Sequence, residues 1–386
     1  MSSVTYDVVI IGGGTADLVL ANRLTEDPEL QVVVHESGED RGADPNTLTP
    51  GAWPLLSNSP ADWTFHTAPQ NDLGRHIKIP QGRALGGSNA INNFLFTSTS
   101  RADVEEWKNL GNKGWGYDAF EQALKRSFTL HKRSVVKGNG PLQLTLAEPE
   151  GLREKAWIDG LESVGFPKQD ALSGRLGGPI MAPESINLKT KQRSYAANAP
   201  STSEDAIARG VQFNSKGGDS QIINARKEVI ISAGAINSPR ILELSGIGGA
   251  DLLEDLGIDV VVDNPHVGEN LQNHLFTGLV FEVRDEVDTI DAFFRQEPDA
   301  VAVAMQDYGS KGTGPLSTSN MVTMAQLPLP EFHTEDGRKE LDQLLNITGP
   351  DLDAPRHGDL RRSPGLRGLT NRVRPYDENY DHPILS

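Results

Sequence analysis

The chain contains no cysteine. That excludes disulfides, thiolate nucleophiles and zinc–thiolate sites, and it fits a reducing compartment. Aromatic residues are scarce, at 6%. Basic residues are outnumbered: 36 Lys and Arg stand against 53 Asp and Glu, for a formal net charge of −17. A surface that acidic repels phosphate backbones, so nucleic acid is not an expected partner. No apolar run approaches the ~18 residues of a membrane span, so no membrane association is expected. The first residues, Met1 to Asp7, hold no basic segment followed by an apolar one. The expected location is therefore cytoplasmic. No HExxH, phosphate-loop or GxSxG pattern is present, and no metal site is expected.

What the chain does have is glycine and proline, 39 and 24 in 386 residues. With 37% apolar and 23% charged residues, this is the composition of a globular, loop-rich α/β protein. The length allows two domains or one large elaborated one.

The first residues carry the clearest local pattern. Val8-Val9-Ile10-Ile11 is an unbroken β-branched run and predicts a buried parallel strand. Gly12-Gly13-Gly14 breaks it. Leu18 to Leu24 has helical spacing, and Gln31 to Val34 predicts a second strand closing at Glu36. The result is a βαβ unit with a glycine turn at its first bend. A dinucleotide fingerprint, G-x-G-x-x-G, belongs at that bend. Its first glycine makes the tight turn, its second lets the backbone approach a pyrophosphate, and its third lets helix and strand pack closely. Gly12 and Gly14 supply the first two, with Thr15 and Ala16 between them and the third position. Glu36 stands where an acid bonds a ribose hydroxyl. The third position is Asp17. Its charge is expected to repel a pyrophosphate, and its bulk to push helix from strand. Further on, strands are expected at Val229 to Ile231 and at Val260 to Val262. Helices are expected near 102–110, 117–127, 152–164, 238–245 and 250–256.

Two longer motifs follow. One is Gly82-Arg83-Ala84-Leu85-Gly86-Gly87-Ser88-Asn89-Ala90-Ile91-Asn92. The other runs from Gly234-Ala235-Ile236-Asn237-Ser238-Pro239-Arg240 to Gly246-Ile247-Gly248. Together with Asp62-Trp63-Thr64-Phe65 and Val267-Gly268-Glu269-Asn270, they resemble the signatures of the glucose–methanol–choline oxidoreductases, in that family's order, over roughly residues 5 to 280. The resemblance implies an α/β fold: a Rossmann-like FAD-binding domain with an incomplete substrate or cap domain. It implies FAD as cofactor, with Arg83, Gly86, Gly87, Ser88 and Asn92 toward the flavin and Ala233 and Gly234 toward the adenosine end. The expected division is 1–130 with 205–275 for the FAD domain. The remainder, 131–204 with 276–386, forms the cap.

Three departures from the family pattern stand out: Asp17, a strand expected after Ala197, and the family's C-terminal segment with its catalytic histidine. No remaining histidine sits in a matching motif, so no catalytic residue is assigned. His274 lies in a family segment and His382 near the end, while His66, His131 and His357 read as surface residues. Residues 355 to 374 hold six arginines and read as solvated loop. Losing the last strands is expected to leave an apolar edge covered in a homodimer. The expected activity is oxidation of a small organic metabolite, set in secondary metabolism. A flavin-free cyclisation, cycloaddition or elimination in the same pocket is the alternative, and an inactive paralogue a further one.

Overall fold

A computed structural model of the chain describes residues 4–69, 74–132, 135–146, 152–175, 177–198, 208–214, 220–273, most of 282–327, and Glu335, Asp336 and Lys339. The arginine-rich stretch, His274, His357, His382 and residues 199–207 lie outside the described residues.

The chain opens with β1 (Val4–Ile11), α1 (Thr15–Leu24) and β2 (Val32–His35). A short helix α2 (Pro45–Leu48) leads to the hairpin of β3 (Phe65–His66) and β4 (Lys78–Ile79). Helices α3 (Arg101–Asn109) and α4 (Tyr117–Ser127) come next. They precede a small sheet of β5 (Phe128–Lys132), β6 (Val135–Gly138) and β7 (Leu142–Thr145). Beyond it lie α5 (Leu152–Ser163), β8 (Gln169–Asp170) and β9 (Gly178–Met181). The chain then returns to its first sheet with β10 (Ala208–Asn214) and β11 (Ser220–Ile231), and continues into α6 (Gly234–Leu244). The last described elements are β12 (Ile247–Gly248), α7 (Ala250–Asp255), β13 (Val262–Asp263), α8 (Asp291–Phe294), α9 (Pro298–Lys311) and β14 (Thr323–Gln326).

The first sheet has the order β10-β11-β1-β2. β1 lies between two parallel partners, with Val9 opposite Val33 on one side and Val229 on the other. Its alternating side chains feed two cores. Val9 and Ile11 pack with Ala225, Val33, Val229 and Ile241. Val8 and Ile10 pack with Ala21, Leu24, Val32 and Ile230. A strand buried on both faces needs apolar residues at every position, which explains the unbroken run. Each such side chain contributes about 1.5–3 kcal/mol on burial.

The expected strand at Val260 to Val262 is largely absent. Only Val262–Asp263 pairs, with Ile247–Gly248. Val261 is 70% exposed. Three successive β-branched residues favour extended backbone, but with no second face to cover them they stay at the surface.

The middle of the molecule is organised differently. Arg193 is 1% exposed. Its guanidinium lies 3.6 Å from the Phe94 ring centroid. It donates to Thr47 O at 2.8 Å, Asn89 O at 2.9 Å, Asn92 O at 2.9 Å and Asn92 Oδ1 at 2.6 Å. Burial lowers its pKa to about 9, so it is still a cation at neutral pH. Glu184, also buried, accepts from Ser319 N at 2.6 Å and Thr318 Oγ1 at 3.0 Å. These side chains tie together loops far apart in sequence. β14 pairs antiparallel with β9 beside them.

Candidate functional site

The first turn of the molecule is built from the backbone up. β1 ends at Ile11, and Gly12 takes φ +113°, a region an L side chain rarely adopts. The chain reverses within three residues and starts α1. On the far side, Gly87 sits with φ +56°, and a Cβ there would stand 2.8 Å from the Gly14 Cα. Two backbones therefore approach as closely as two glycines permit. Gly86 N donates to Gly13 O at 2.7 Å and fixes the approach.

The closeness leaves a cleft of about 320 Å³ at the C-terminal ends of β1, β2 and β11. This is where parallel α/β sheets place ligands. Nine of the residues singled out in the sequence line it: Gly12, Gly14, Thr15, Ala16, Glu36, Gly87, Ser88, Ala233 and Gly234. Three do not. Gly86 faces the Tyr195 ring, which a Cβ would strike. Asn92 turns its Oδ1 to Arg193 and to Phe94 N. Arg83 spreads its guanidinium over Trp63, 5.0 Å from the ring centroid.

The cleft also holds residues to which the sequence analysis gave no site role, although four of them lie within its motifs. Trp63 and Phe65 stack at 5.7 Å with rings 5° apart and give it an aromatic wall. His35, Ser232, Asn237 and Arg240 line it too. Burial holds the His35 pKa below its ordinary value, which keeps the ring neutral at pH 7. Burial lowers the Arg240 pKa as well. His66 is exposed. The His131 ring bonds Gln143 Oε1 at 2.8 Å, away from this cleft.

Carboxylates claim the amides of the turn. Glu36 Oε2 accepts from Gly13 N at 2.6 Å, and its Oε1 from Gly38 N at 2.7 Å. Each oxygen keeps a second lone pair for a ligand hydroxyl. Asp17 Oδ2 accepts from Gly14 N at 2.7 Å, while its Oδ1 accepts from the Ser232 hydroxyl. Asp17 is 1% exposed. It is the third residue of α1 and reaches back to the backbone of the N-cap, as the acid of a capping box does. The sequence led to the expectation that its bulk would force helix from strand. Instead the side chain folds back onto the turn, where the helix dipole favours a negative charge, and α1 keeps its packing through Ala21.

Desolvation raises the pKa of both acids. For Asp17 the Ser232 hydroxyl and the Gly14 amide oppose the rise. For Glu36 the Gly38 and Gly13 amides oppose it, the charge of Asp17 adds to it, and Arg83 subtracts.

The donor set meets most of the needs of a flavin dinucleotide. The Gly12 to Gly14 turn, the Glu36 carboxylate, the glycine approach at Gly87 and the aromatic wall all fit. One feature does not: the Gly14 amide, which a pyrophosphate would use, is already occupied by Asp17.

Comparison with known proteins places this architecture. A family model described as GMC oxidoreductase matches residues 6–199 and 187–276. A dehydrogenase of Armillaria gallica is 34% identical over 89% of this chain and 62% of its own length. An oxygen-dependent choline dehydrogenase of Sinorhizobium fredii is 33% identical over 70% of this chain and 53% of its own. Among solved structures, an Aspergillus oryzae formate oxidase, studied for modification of its FAD, superposes with a TM-score of 0.76 at 26% identity. That match covers 89% of this chain and 65% of the oxidase. The chain thus spans a little over half to two thirds of the length of these proteins. No helix among the described residues is long and apolar enough to cross a membrane.

Proposed function

Because the chain belongs to the GMC oxidoreductase family, we propose that it is an FAD-dependent oxidoreductase acting on a small organic alcohol of secondary metabolism. The observation that carries this reading is the cleft at the strand ends. Its glycine turn, terminal carboxylate and aromatic wall lie together on one face of a parallel sheet. That combination suits a ligand with a flat ring system, a ribose and a phosphate chain.

FAD, when bound, supplies the hydride acceptor. The protein's part is recognition and exclusion of water. Glu36, held by two amides, presents lone pairs to a ribose hydroxyl. Gly87 and Ser88 bring backbone to the cleft from one side, and Ala233 and Gly234 from the other. Ser88 Oγ accepts from Gly82 N at 3.1 Å and donates to Gln81 Oε1 at 3.2 Å, which fixes its loop. Trp63, braced by Phe65 and Arg83, gives the cleft a flat apolar wall. No residue is assigned as the base that takes the alcohol proton.

The relatives named above are dehydrogenases and an oxidase, and they give a flavin-free reaction no support. The test is a visible spectrum of the purified chain before and after incubation with FAD and desalting. Retained flavin bands that bleach anaerobically with an alcohol panel are the expected result. A folded protein that retains no flavin at millimolar FAD overturns the reading.

A further inference from the structure

Asp17 stands where this fold's ligand needs a donor, and it is not idle there. Its carboxylate is fully buried, yet both oxygens are engaged by the protein itself. One takes the Gly14 amide at 2.7 Å, and the other takes the hydroxyl of Ser232 at the end of β11. A Cβ built on Gly12 would meet Asp17 Oδ2 at 2.9 Å, and one on Gly14 would meet it at 3.1 Å. The carboxylate therefore fills the hollow of the glycine turn. It links α1 to β11 across the position where the first bend faces the cleft. An anion arriving at this turn meets an amide already bonded and a negative charge already in place.

We infer that Asp17 is an internal anion that occupies the glycine turn in place of a diphosphate, so that a dinucleotide gains the Gly14 amide only by displacing it. The inference rests on the FAD reading above and names the residue that sets the affinity of that site. Asp17 discriminates by chemistry. A ligand with a diphosphate must break the Asp17–Gly14 bond and place charge beside charge. A ligand carrying the same base and ribose without phosphates has no such cost. The exchange depends on protonation. A neutral Asp17 gives up the amide more readily and does not repel phosphate, and an ionised one holds it and repels. Burial raises its titration above the ordinary carboxylate range. Diphosphate affinity therefore falls as pH rises through that titration.

The other charged groups facing this point are Glu36 on the β2 side, Arg240 on α6, and Arg83, which acts on Glu36. His35 lines the cleft as a neutral ring near pH 7. Arg83, Arg240 and His35 are common to wild type and Asp17 variants. The Glu36 titration moves down when the Asp17 charge is removed, and adenosine, which offers Glu36 a ribose but carries no phosphate, reports that change separately.

The experiment uses the full chain freed of bound nucleotide. Its affinities for FAD, ADP and adenosine are measured by calorimetry at pH 5.5 and 8, for wild type, Asp17→Gly and Asp17→Asn. Thermal melts are recorded for each protein. Removing the charge is expected to tighten FAD and ADP binding by about tenfold or more, the scale of a charge-assisted hydrogen bond. Adenosine binding is expected to stay level. The part of the pH dependence of ADP binding that Asp17 supplies is expected to be missing from both variants, so ADP affinity should fall less with rising pH in them than in wild type. Asp17→Asn keeps an oxygen for the Gly14 amide and remains informative if Asp17→Gly melts too low. Equal diphosphate affinities across the three proteins overturn the inference, and so does a gain for adenosine as large as that for ADP. ADP gained by the variants without FAD in any protein supports it while sinking the flavin reading. No binding of any probe to any variant overturns both.

Discussion

The two halves of this molecule are held by different means. The first sheet is apolar on both faces, with Val9 and Ile10 fully buried in β1. The middle region, by contrast, closes over charged groups. Arg193 stacks on Phe94 and bonds the backbones of Thr47, Asn89 and Asn92. Glu184 caps the backbone at Ser319. A sheet core tolerates some repacking, because apolar contact has no direction. A buried ion bonded to loop carbonyls has one geometry, and losing it strands each partner.

Substitutions can sharpen that contrast. The largest effect is expected from Arg193→Met, which removes the donor from the backbone carbonyls of Thr47, Asn89 and Asn92 and the cation from the Phe94 face. A loss of about 3–5 kcal/mol is expected in denaturant unfolding, since an acceptor left without its donor costs about 1–3 kcal/mol where it is buried. A midpoint within a few tenths of a molar of wild type would remove the distinction between the two regions. Ile10→Ala comes next, at about 3 kcal/mol, and Ile10→Val should cost about 1 kcal/mol. If the conservative change costs as much as the truncation, the sheet core is as exacting as the polar one.

Two pH effects are smaller and of opposite sign. Burial raises the pKa of Glu184, while its bonds to Ser319 and Thr318 oppose the rise. The folded state therefore holds its proton to higher pH than the unfolded chain. Stability is lost as pH climbs from the ordinary carboxylate range through the raised value. Glu184→Gln keeps the acceptor oxygen without the charge, so its melting temperature should fall less than that of wild type between pH 4 and pH 8. Parallel curves would place the raised titration elsewhere. In the first sheet, Arg226 and the Gln31 amide lower the pKa of Asp7 to about 2. That contribution is present above the unfolded value near 3.8 and disappears as pH falls through about 2. Asp7→Asn should lower the melting temperature slightly at pH 7 and leave it unchanged near pH 1.5.

The same contrast explains what the sequence made legible. The β1–α1–β2 unit could be read because a doubly covered strand writes its burial at every position. The glycine turn could be read because Gly12 and Gly87 answer to local backbone needs. Val260 to Val262 misled, since β-branched residues look alike whether or not a sheet receives them. Arg193 gave no periodic signal, because its partners at Thr47, Asn89 and Asn92 lie in loops remote in the chain. Asn92 sat in a recognisable motif, but its side chain serves that arginine and not the cleft. Asp17 was visible as a departure. Its Ser232 partner was not, because the two meet only through the pairing of β1 with β11.

That pairing has a consequence during synthesis. Val9 lies opposite Val33, which leaves the ribosome soon after it, and opposite Val229, which follows roughly 220 residues later. At the usual pace of translation the interval is about 10–45 s. For that time β1 is a sticky edge with one flank open. The cleft at the strand ends, lined from both β1 and the end of β11, can exist only once that late partner has paired.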